Sequence, residues 1–507
     1  MACGTRHYTL LNSNEPPDDS EMTMIHSVVM DTDARLACID ADMANPHEKL
    51  KQLEEERESL SSYRTRNKAI LSPLRRMPSE ILGEIFWWTL PSIGYRINAA
   101  GFDTAQSPWL LTRISSRWRA ICVSTPSFWS RVAIDYSITD NHSLYSRSLA
   151  ETQLQRAQKL KIHFYGCEAN DSHPQIQMFQ LLLQYSSCWE ELSLGLTAKL
   201  VPLLPAVRDR VQSLTRLWIQ WFSPESQSAV QSIDCFKSAS SLVDFSAYNE
   251  YRFIPIAYPT NQLRRYQLDC PWEIHKGILK LAPNLVEVRI AISFDVEPWP
   301  DVRETIDLPY LRRLYVSYPE VLDYLRAPAL EGLALWVGKD ADNFLPNVES
   351  FLDRSACSVR RFSLRGFPDA HTTTKMLEKI PSITELAITI EYSDASEGVD
   401  RLVSALTVSH GPGSTTVAPQ LRLLLFGCER HSRIDYTAYL EMLKSRWTAE
   451  DCALNAATLA TEGPGPDSTK LHDLRALRRE GLDLFLVKRL KAVDEMDGWV
   501  YSTTWYH

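Results

Sequence analysis

The chain has 507 residues, of which 44% are hydrophobic and 23% charged, with a formal net charge of −9. These are proportions of a folded protein longer than one ordinary domain, unless a solenoid spreads a continuous core along its length. The acidic balance argues against the basic field that nucleic-acid binding needs, and ten cysteines without a C-x-x-C pair argue against structural zinc or a redox motif.

The first twenty residues lack a basic stretch followed by an apolar run, so no secretory signal is expected. No run of roughly 18 apolar residues is present either, so no membrane span is expected. Together these place the chain in the cytoplasm, the nucleus or both. Residues 1–33 are polar and broken by Pro16-Pro17, which predicts a disordered tail. Residues 34–70 predict a helix leading into the next unit. Leu36, Ile39, Met43, Leu50, Leu53, Leu60 and Tyr63 keep a heptad-like spacing interrupted at Pro46. Two readings are open, a helix packed against the following unit, which is favoured, and a coiled-coil dimer.

Residues 71–135 form the most informative stretch. Pro78-Ser79-Glu80 opens a helix, since proline suits the first turn and Glu80 complements the positive end of the dipole. Ile81, Leu82, Ile85, Phe86 and Leu90 recur at helical spacing until Pro91. Leu74 and Met77 lie just ahead as a staple. Beyond a long loop, Ser92 to Pro108, a second helix carries Leu110, Leu111, Ile114, Trp118, Ile121 and Cys122 up to Pro126, followed by an apolar clasp of Phe128, Trp129 and Val132. A helical pair this short buries little alone, so part of its apolar surface is expected to meet a partner or the rest of the chain. The plainer reading is a helical cap on a larger domain.

These residues resemble an F-box. The run L-x-x-M-P-S-E-I-L-x-x-I-F, then L-L-T-R-I-S-S-R-W-R, then P-S-F-W, is most similar to the F-box-like proteins abundant in mushroom-forming fungi. Leu74, Pro78, Glu80, Ile81, Leu82, Ile85 and Phe86 match the first helix of that motif, and Ile114, Arg117, Trp118, Arg119, Phe128 and Trp129 its later part. Ser115-Ser116 stands where the family often has Val-Cys, and Met77 where it often has leucine. The resemblance implies binding of a Skp-type adaptor, which joins such proteins to a cullin–RING ubiquitin ligase. It assigns the adaptor contact to Leu74, Pro78, Glu80, Ile81, Leu82, Ile85, Phe86, Ile114 and Trp118.

Over residues 156–450 the rhythm changes to apolar-x-x-apolar-x-apolar. Ten such motifs, from Trp189/Leu192/Leu194 to Leu421/Leu424/Phe426, recur about every 26 residues, inside the leucine-rich-repeat period. Between them come Leu214/Leu217/Ile219, Leu242/Phe245/Ala247, Leu263/Tyr266/Leu268, Leu285/Val288/Ile290, Leu311/Leu314/Val316, Leu330/Leu333/Leu335, Val359/Phe362/Leu364 and Ile383/Leu386/Ile388. Prolines a few residues ahead of each strand close the returning helix, as in KLAPNLVEV and KIPSITEL, and Gly277 to Leu281 and Lys375 to Ile380 supply such helices. The expected fold class is therefore α+β or α/β, a helical F-box-like domain followed by an irregular leucine-rich-repeat solenoid with parallel strands on its concave face. A discrete α/β domain is the other architecture.

The residues between the repeated apolar ones point to the opposite face. Trp218, Arg289, Tyr315, Trp336 and Arg365 fall there, and aromatics and arginine are over-represented at binding hot spots, so these five are the candidate substrate-binding residues. The competing reading is that other elements cover them. Residues 451–469, rich in Ala, Gly, Pro and Thr, predict a flexible loop. Residues 470–507 predict a terminal cap of one helix and a strand in GLDLFLV, with an aromatic ending.

No motif for hydrolase, nucleotide, zinc or dinucleotide chemistry occurs. His47-Glu48 lacks the second histidine of a zinc site, and the Gly-rich Gly411 to Thr416 lacks the phosphate-binding lysine. The chain is expected to be no enzyme, with no cofactor and no metal. The expected function is substrate recognition for a Skp–cullin–RING ligase, adaptor at the F-box and protein substrate on the repeats. The alternative is a non-ligase leucine-rich-repeat scaffold whose F-box-like unit is only a helical cap.

Overall fold

The computed structural model describes residues 6–488, apart from 43–46, 92–103, 138–144, 170–171, 222, 295–303, 339–343, 392–395, 409–415, 429–433, 451 and 463–464. Most of the loop expected from Ser92 to Pro108, most of the Gly411 segment and the aromatic ending after residue 488 thus lie outside the described residues. The chain folds as two units, one reaching residue 161 and the other running from residue 162 onward, with a short exchange at 135–137 among the described residues.

The first unit contains α1 (Arg6–Asn12), α2 (Asp19–Asp42), α3 (His47–Ile70), α4 (Pro73–Arg76), α5 (Ser79–Trp88), α6 (Leu111–Ile114) and α7 (Ser116–Ser124). A 3-10 turn at Pro126–Trp129, β1 (Arg131–Asp135) and α8 (Arg147–Arg156) complete it. The expected disordered tail is corrected: residues 6–12 and 19–42 are helical. Pro16-Pro17 separates two helices rather than dissolving both. Asp18 and Glu21 cap α2 reciprocally, the Asp18 N–H donating to Glu21 at 2.9 Å and the Glu21 N–H to Asp18 at 2.7 Å. Leu10, Ile25, Val29 and Ile70 then form a small buried cluster that holds α1, α2 and α3 together.

The heptad-like spacing also finds its partner inside the chain. Met43 lies outside the described residues, and the others divide between α2 and α3, which pair antiparallel, with Asp33 bonded to Arg64 and Asp40 to Arg57 at 3.0 Å. The second helix expected between Leu110 and Cys122 is not continuous. Ser115 is fully extended and its hydroxyl accepts the Trp118 N–H at 3.1 Å, ending α6 and capping α7. Leu110 and Ile114, expected on the same buried stripe as Ile121 and Cys122, are consequently exposed.

In the second unit parallel strands follow one another across the sheet. They are β2 (Leu160–Tyr165), β3 (Trp189–Leu196), β4 (Arg216–Trp221), β5 (Asp244–Tyr248), β6 (Arg265–Asp269) and β7 (Glu287–Ala291). Next come the short β8 (Ile306–Asp307), β9 (Arg313–Val316), the short β10 (Leu325–Arg326), β11 (Gly332–Val337), β12 (Arg361–Gly366) and β13 (Glu385–Ile390). The last are β14 (Leu423–Cys428), β15 (Ala456–Thr461) and β16 (Asp483–Lys488). Fourteen strands join one sheet in chain order, while β8 and β10 pair with each other outside it. From β3 onward each neighbouring pair is parallel.

The returning segments include α9 (Ser172–Gln184), α10 (Pro224–Ser228), α11 (Trp272–Leu281), α12 (Leu345–Ser355), α13 (Ala370–Lys379), α14 (Ser396–Ala405), α15 (Tyr436–Thr448) and α16 (Ser468–Arg479). From α12 to α16 each packs beside the next. This is an α/β architecture with a fourteen-stranded sheet, solenoid-like in its one-repeat-per-strand succession.

All ten motifs occupy strands in one register. Leu192, Leu217, Phe245, Tyr266, Val288, Leu314, Leu333, Phe362, Leu386 and Leu424 stand opposite one another in series. They face the helices, as Tyr266 against His275 of α11 and Phe426 against Tyr439 of α15 show. The flexible loop expected at 451–469 is corrected, because β15 extends the ladder there. Its buried residues, Ala457, Leu459 and Ala460, are mostly too small to stand out in a sequence pattern. Beyond it, α16 and β16 occupy the described part of the expected terminal cap.

Two buried polar groups tie helices to the layer beneath. Arg446 of α15, almost fully enclosed, donates to the carbonyls of Leu406 at 2.6 Å, Val417 at 2.7 Å and Ala418 at 3.3 Å. Replacing it by methionine leaves three carbonyls unanswered and is expected to cost about 2–4 kcal/mol in urea unfolding. His275 is buried between the Tyr266 hydroxyl at 2.5 Å and the Ala291 carbonyl at 2.9 Å, and burial lowers its pKa from 6.5 to about 4. The unfolded chain therefore takes up this proton before the folded one, so stability is intact above pH 6.5 and falls as pH drops toward 4. Between pH 7 and 5 the loss from this residue is expected to be about 2 kcal/mol, and it should be missing from the His275→Gln chain in paired urea titrations.

Candidate docking surfaces

The segment from Leu71 to Trp129 is organised by α5. Its Leu82 and Phe86 are buried with Leu111, Ile121, Cys122, Phe128 and Trp129. Phe86 lies against Trp118 at 4.6 Å and edge-on to Phe128 at 6.4 Å. The Trp129 indole donates to the Cys122 carbonyl at 2.8 Å, while Trp109 meets it edge-on at 4.9 Å and the Arg156 guanidinium caps it at 4.4 Å. Burial lifts the Cys122 thiol to about 11, which keeps it an inert core group.

One turn around α5 lies a second stripe that this core does not use. Ile81 is 49% exposed, Ile85 40% and Trp88 81%. Leu74, Pro78, Glu80 and Ile114 are exposed as well, and Trp118 is half-buried against Phe86. The nine expected adaptor contacts therefore separate. Leu82 and Phe86 are structural, since an amphipathic helix on a small core buries one stripe only. Trp88 was not among the nine, although the Trp87-Trp88 pair just before Pro91 was a signal for it. Pro78 itself is the residue ahead of the first turn, α5 beginning at Ser79.

Arg117 fixes how the two halves meet. Its guanidinium donates to the carbonyls of Arg75 at 2.6 Å, Met77, and Leu74 at 3.4 Å, closing the end of α4 beneath the start of α5. Truncating Phe86 to alanine is expected to cost about 3–5 kcal/mol in chemical denaturation. By contrast Ile85→Ser, on the outer stripe, is expected to change stability by no more than about 0.5 kcal/mol. Equal losses would contradict the division into two stripes.

The sheet face turned away from the helices carries the expected substrate residues. Arg289, Tyr315, Ala334 and Ser363 stand opposite one another on β7, β9, β11 and β12, with Trp336 and Arg365 paired two residues further on. The Arg289 guanidinium lies 5.0 Å over the Tyr315 ring. The Trp336 indole and the Arg365 Nε both donate to one oxygen of Glu391, at 3.0 and 3.1 Å. Four of the five residues are thus gathered together. Trp218, on β4 between Ser193 and Ser246, stands apart.

The expected openness of this face needs correction. Trp218 and Tyr315 are buried, and Arg289, Trp336 and Arg365 are half-buried. Strands about 4.8 Å apart set equivalent side chains flank to flank, so each covers its neighbours. What remains accessible is the rim of Trp336 and the arginines.

The same face holds a row that sequence reading missed. Glu191, Arg216, Asp244, Arg265, Glu287 and Arg313 are in register on successive strands, followed by Gly332, Arg361 and Glu385. Arg216 reaches Glu191 at 3.5 Å and Asp244 at 3.2 Å, and Arg265 reaches Asp244 at 3.5 Å and Glu287 at 3.8 Å. Arg313 meets Glu287 at 4.0 Å and Arg361 meets Glu385 at 3.5 Å. Burial raises the Asp244 and Glu287 carboxyls, and the flanking arginines oppose that shift. The signal was present, because the residue before the second apolar position alternates in sign over the first six motifs, from Glu191 to Arg313, and is charged again at Arg361 and Glu385.

No known protein-family model and no curated protein sequence matches the chain. Among the described residues no group of three or more His, Cys, Asp or Glu side chains is placed to hold a metal ion, and no helix is long and apolar enough to cross a membrane.

Proposed function

We propose that the chain is a substrate receptor of a Skp–cullin–RING ubiquitin ligase, docking on a Skp-type adaptor through α5 and recruiting a protein through the repeat sheet. The observation that carries this reading is the outer stripe of α5. Ile81, Ile85 and Trp88 stay exposed at i, i+4 and i+7 while Leu82 and Phe86 already secure the helix. Large apolar side chains held in the open on a rigid short helix match what helix-in-groove docking requires. The motif resemblance at Leu74, Pro78, Glu80 and Ile114 adds the identity of the partner.

No chemistry is asked of the receptor itself. It acts by proximity, raising the effective concentration of a bound substrate beside the ubiquitin carrier. Compartment follows the machinery, cytoplasmic or nuclear.

Co-purification of the full chain with a Skp-type adaptor tests the proposal. The wild type is expected to retain adaptor at micromolar concentration, and a variant with Ile81→Ser and Trp88→Ser to weaken retention by at least about tenfold with its unfolding midpoint unchanged. Failure of the wild type to hold adaptor would leave the helical-cap reading in its place. Equal retention by wild type and variant would show that the outer stripe is not the contact.

A further inference from the structure

We propose that two copies of the chain pair through α11, antiparallel about a twofold axis that passes between Gly277 and Ile278. This goes beyond the receptor reading and stands whether or not α5 binds an adaptor. α11 turns Trp272, His275 and Leu279 inward. On its other side Ile274, Gly277, Ile278 and Leu281 recur at i, i+3, i+4 and i+7, which is one continuous stripe. Ile274 is 40% exposed and Leu281 62%, Gly277 is exposed between them, and Ile278 is half-buried. Gly277 has no reason within its own chain. Glycine is the poorest helix former after proline, and a helix keeps one where φ is positive or another backbone comes close. Gly277 lacks a positive φ, and a Cβ built on it would meet nothing within 4 Å. A close approach from outside the chain supplies the missing reason.

The stripe complements itself in shape and in charge, which identifies the occupant as a second copy. Its four positions are symmetric about the midpoint between Gly277 and Ile278. An antiparallel copy therefore sets each Ile278 over its partner's Gly277 and each Ile274 against its partner's Leu281, an isologous contact. Along one flank of the stripe α11 carries Glu273 in its first turn and Lys280 in its last. Both side chains are at the surface, where Glu273 meets Lys276 at 3.3 Å and Lys280 meets Glu304. The twofold reverses the helix direction and keeps this flank on the same side in both copies. Each Glu273 then stands within about 3 Å, along the helix axis, of its partner's Lys280. The two helix dipoles run opposed as well. One crossing of about three turns lies at the small end of protein interfaces, so the pair is a weak dimer with a Kd of about 10 µM.

Sedimentation velocity of the full chain without adaptor, from about 1 to about 100 µM, tests the pairing. The wild type is expected to pass from monomer to dimer over that range. A chain with Ile274→Ser and Leu281→Ser is expected to stay monomeric throughout, with its unfolding midpoint in dilute solution unchanged because both positions are exposed. Gly277→Gln is expected to raise that midpoint, since glutamine is the better helix former, and to weaken association by at least about tenfold by filling the gap. Glu273→Lys and Lys280→Glu are each expected to weaken association by about threefold to tenfold when alone. Mixed in equal amounts, these two chains restore both opposite-charge contacts and are expected to associate more tightly than either does by itself. A wild type that stays monomeric at about 100 µM would overturn the proposal and leave the stripe to a different partner. Dimerisation unaffected by the two serines or by Gly277→Gln, or a mixture that associates no better than its components, would overturn it equally.

Discussion

Parallel strands in a stack of repeats give each inward side chain only two lateral neighbours, the same positions of the strands on either side. That constraint sets one register across β3 to β14, because a shift by a single residue would turn every Leu192-type position away from the helices. Once equivalent positions align, the apolar rows fill the layer under α9 to α16, and the intervening rows become continuous stripes on the other face. The charged row from Glu191 to Glu385 exists only as a consequence of this alignment. Residues that are some 25 positions apart in the chain become neighbours in a ladder, and their alternating signs make a register slip costly as well as unproductive.

The first unit solves a different problem, that of holding short helices on a small core. Trp129 and Phe86 are among the largest fully buried side chains of the chain, Ser115 separates α6 from α7, and Arg117 closes the carbonyl end of α4. With one side of α5 committed to this core, the other side is left exposed. Local stability and the accessible stripe are thus two outcomes of one amphipathic pattern, and they were not separable from spacing alone. Ile81 and Leu82 are adjacent in the sequence and equally apolar. Only the placement of Phe128 and Trp129 decides which of them is enclosed.

The sequence was legible wherever large apolar residues repeat at a fixed offset. Each of the ten motifs marks a strand, and the prolines after α11 and α13 mark the returns that close them. It was opaque where burial is carried by small residues, as at Ala457 and Ala460 of β15, which compositional reading takes for a loop. The N-terminal helices were hidden in a similar way, since Pro16-Pro17 and a polar surface conceal four buried residues drawn from distant positions. The outward residues were placed on the right face, but their exposure was overestimated, because flank-to-flank covering depends on neighbours roughly 25 positions away. Three adjacent arginine pairs occur in the sequence, Arg264-Arg265, Arg312-Arg313 and Arg360-Arg361, and the second member of each is a rung of the charged row.

The shared register is most directly tested by cross-linking between strands. Cysteines placed at Ser246 and Gln267, which stand opposite one another on β5 and β6, should close a disulfide on mild oxidation, identified by mass spectrometry of the linked peptides. Cysteines at Ser246 and Asp269, offset by one pleat, would have Cα atoms about 8 Å apart and should stay reduced under the same conditions. Linkage of the offset pair in preference to the aligned one would contradict the single register on which both the apolar core and the charged row depend.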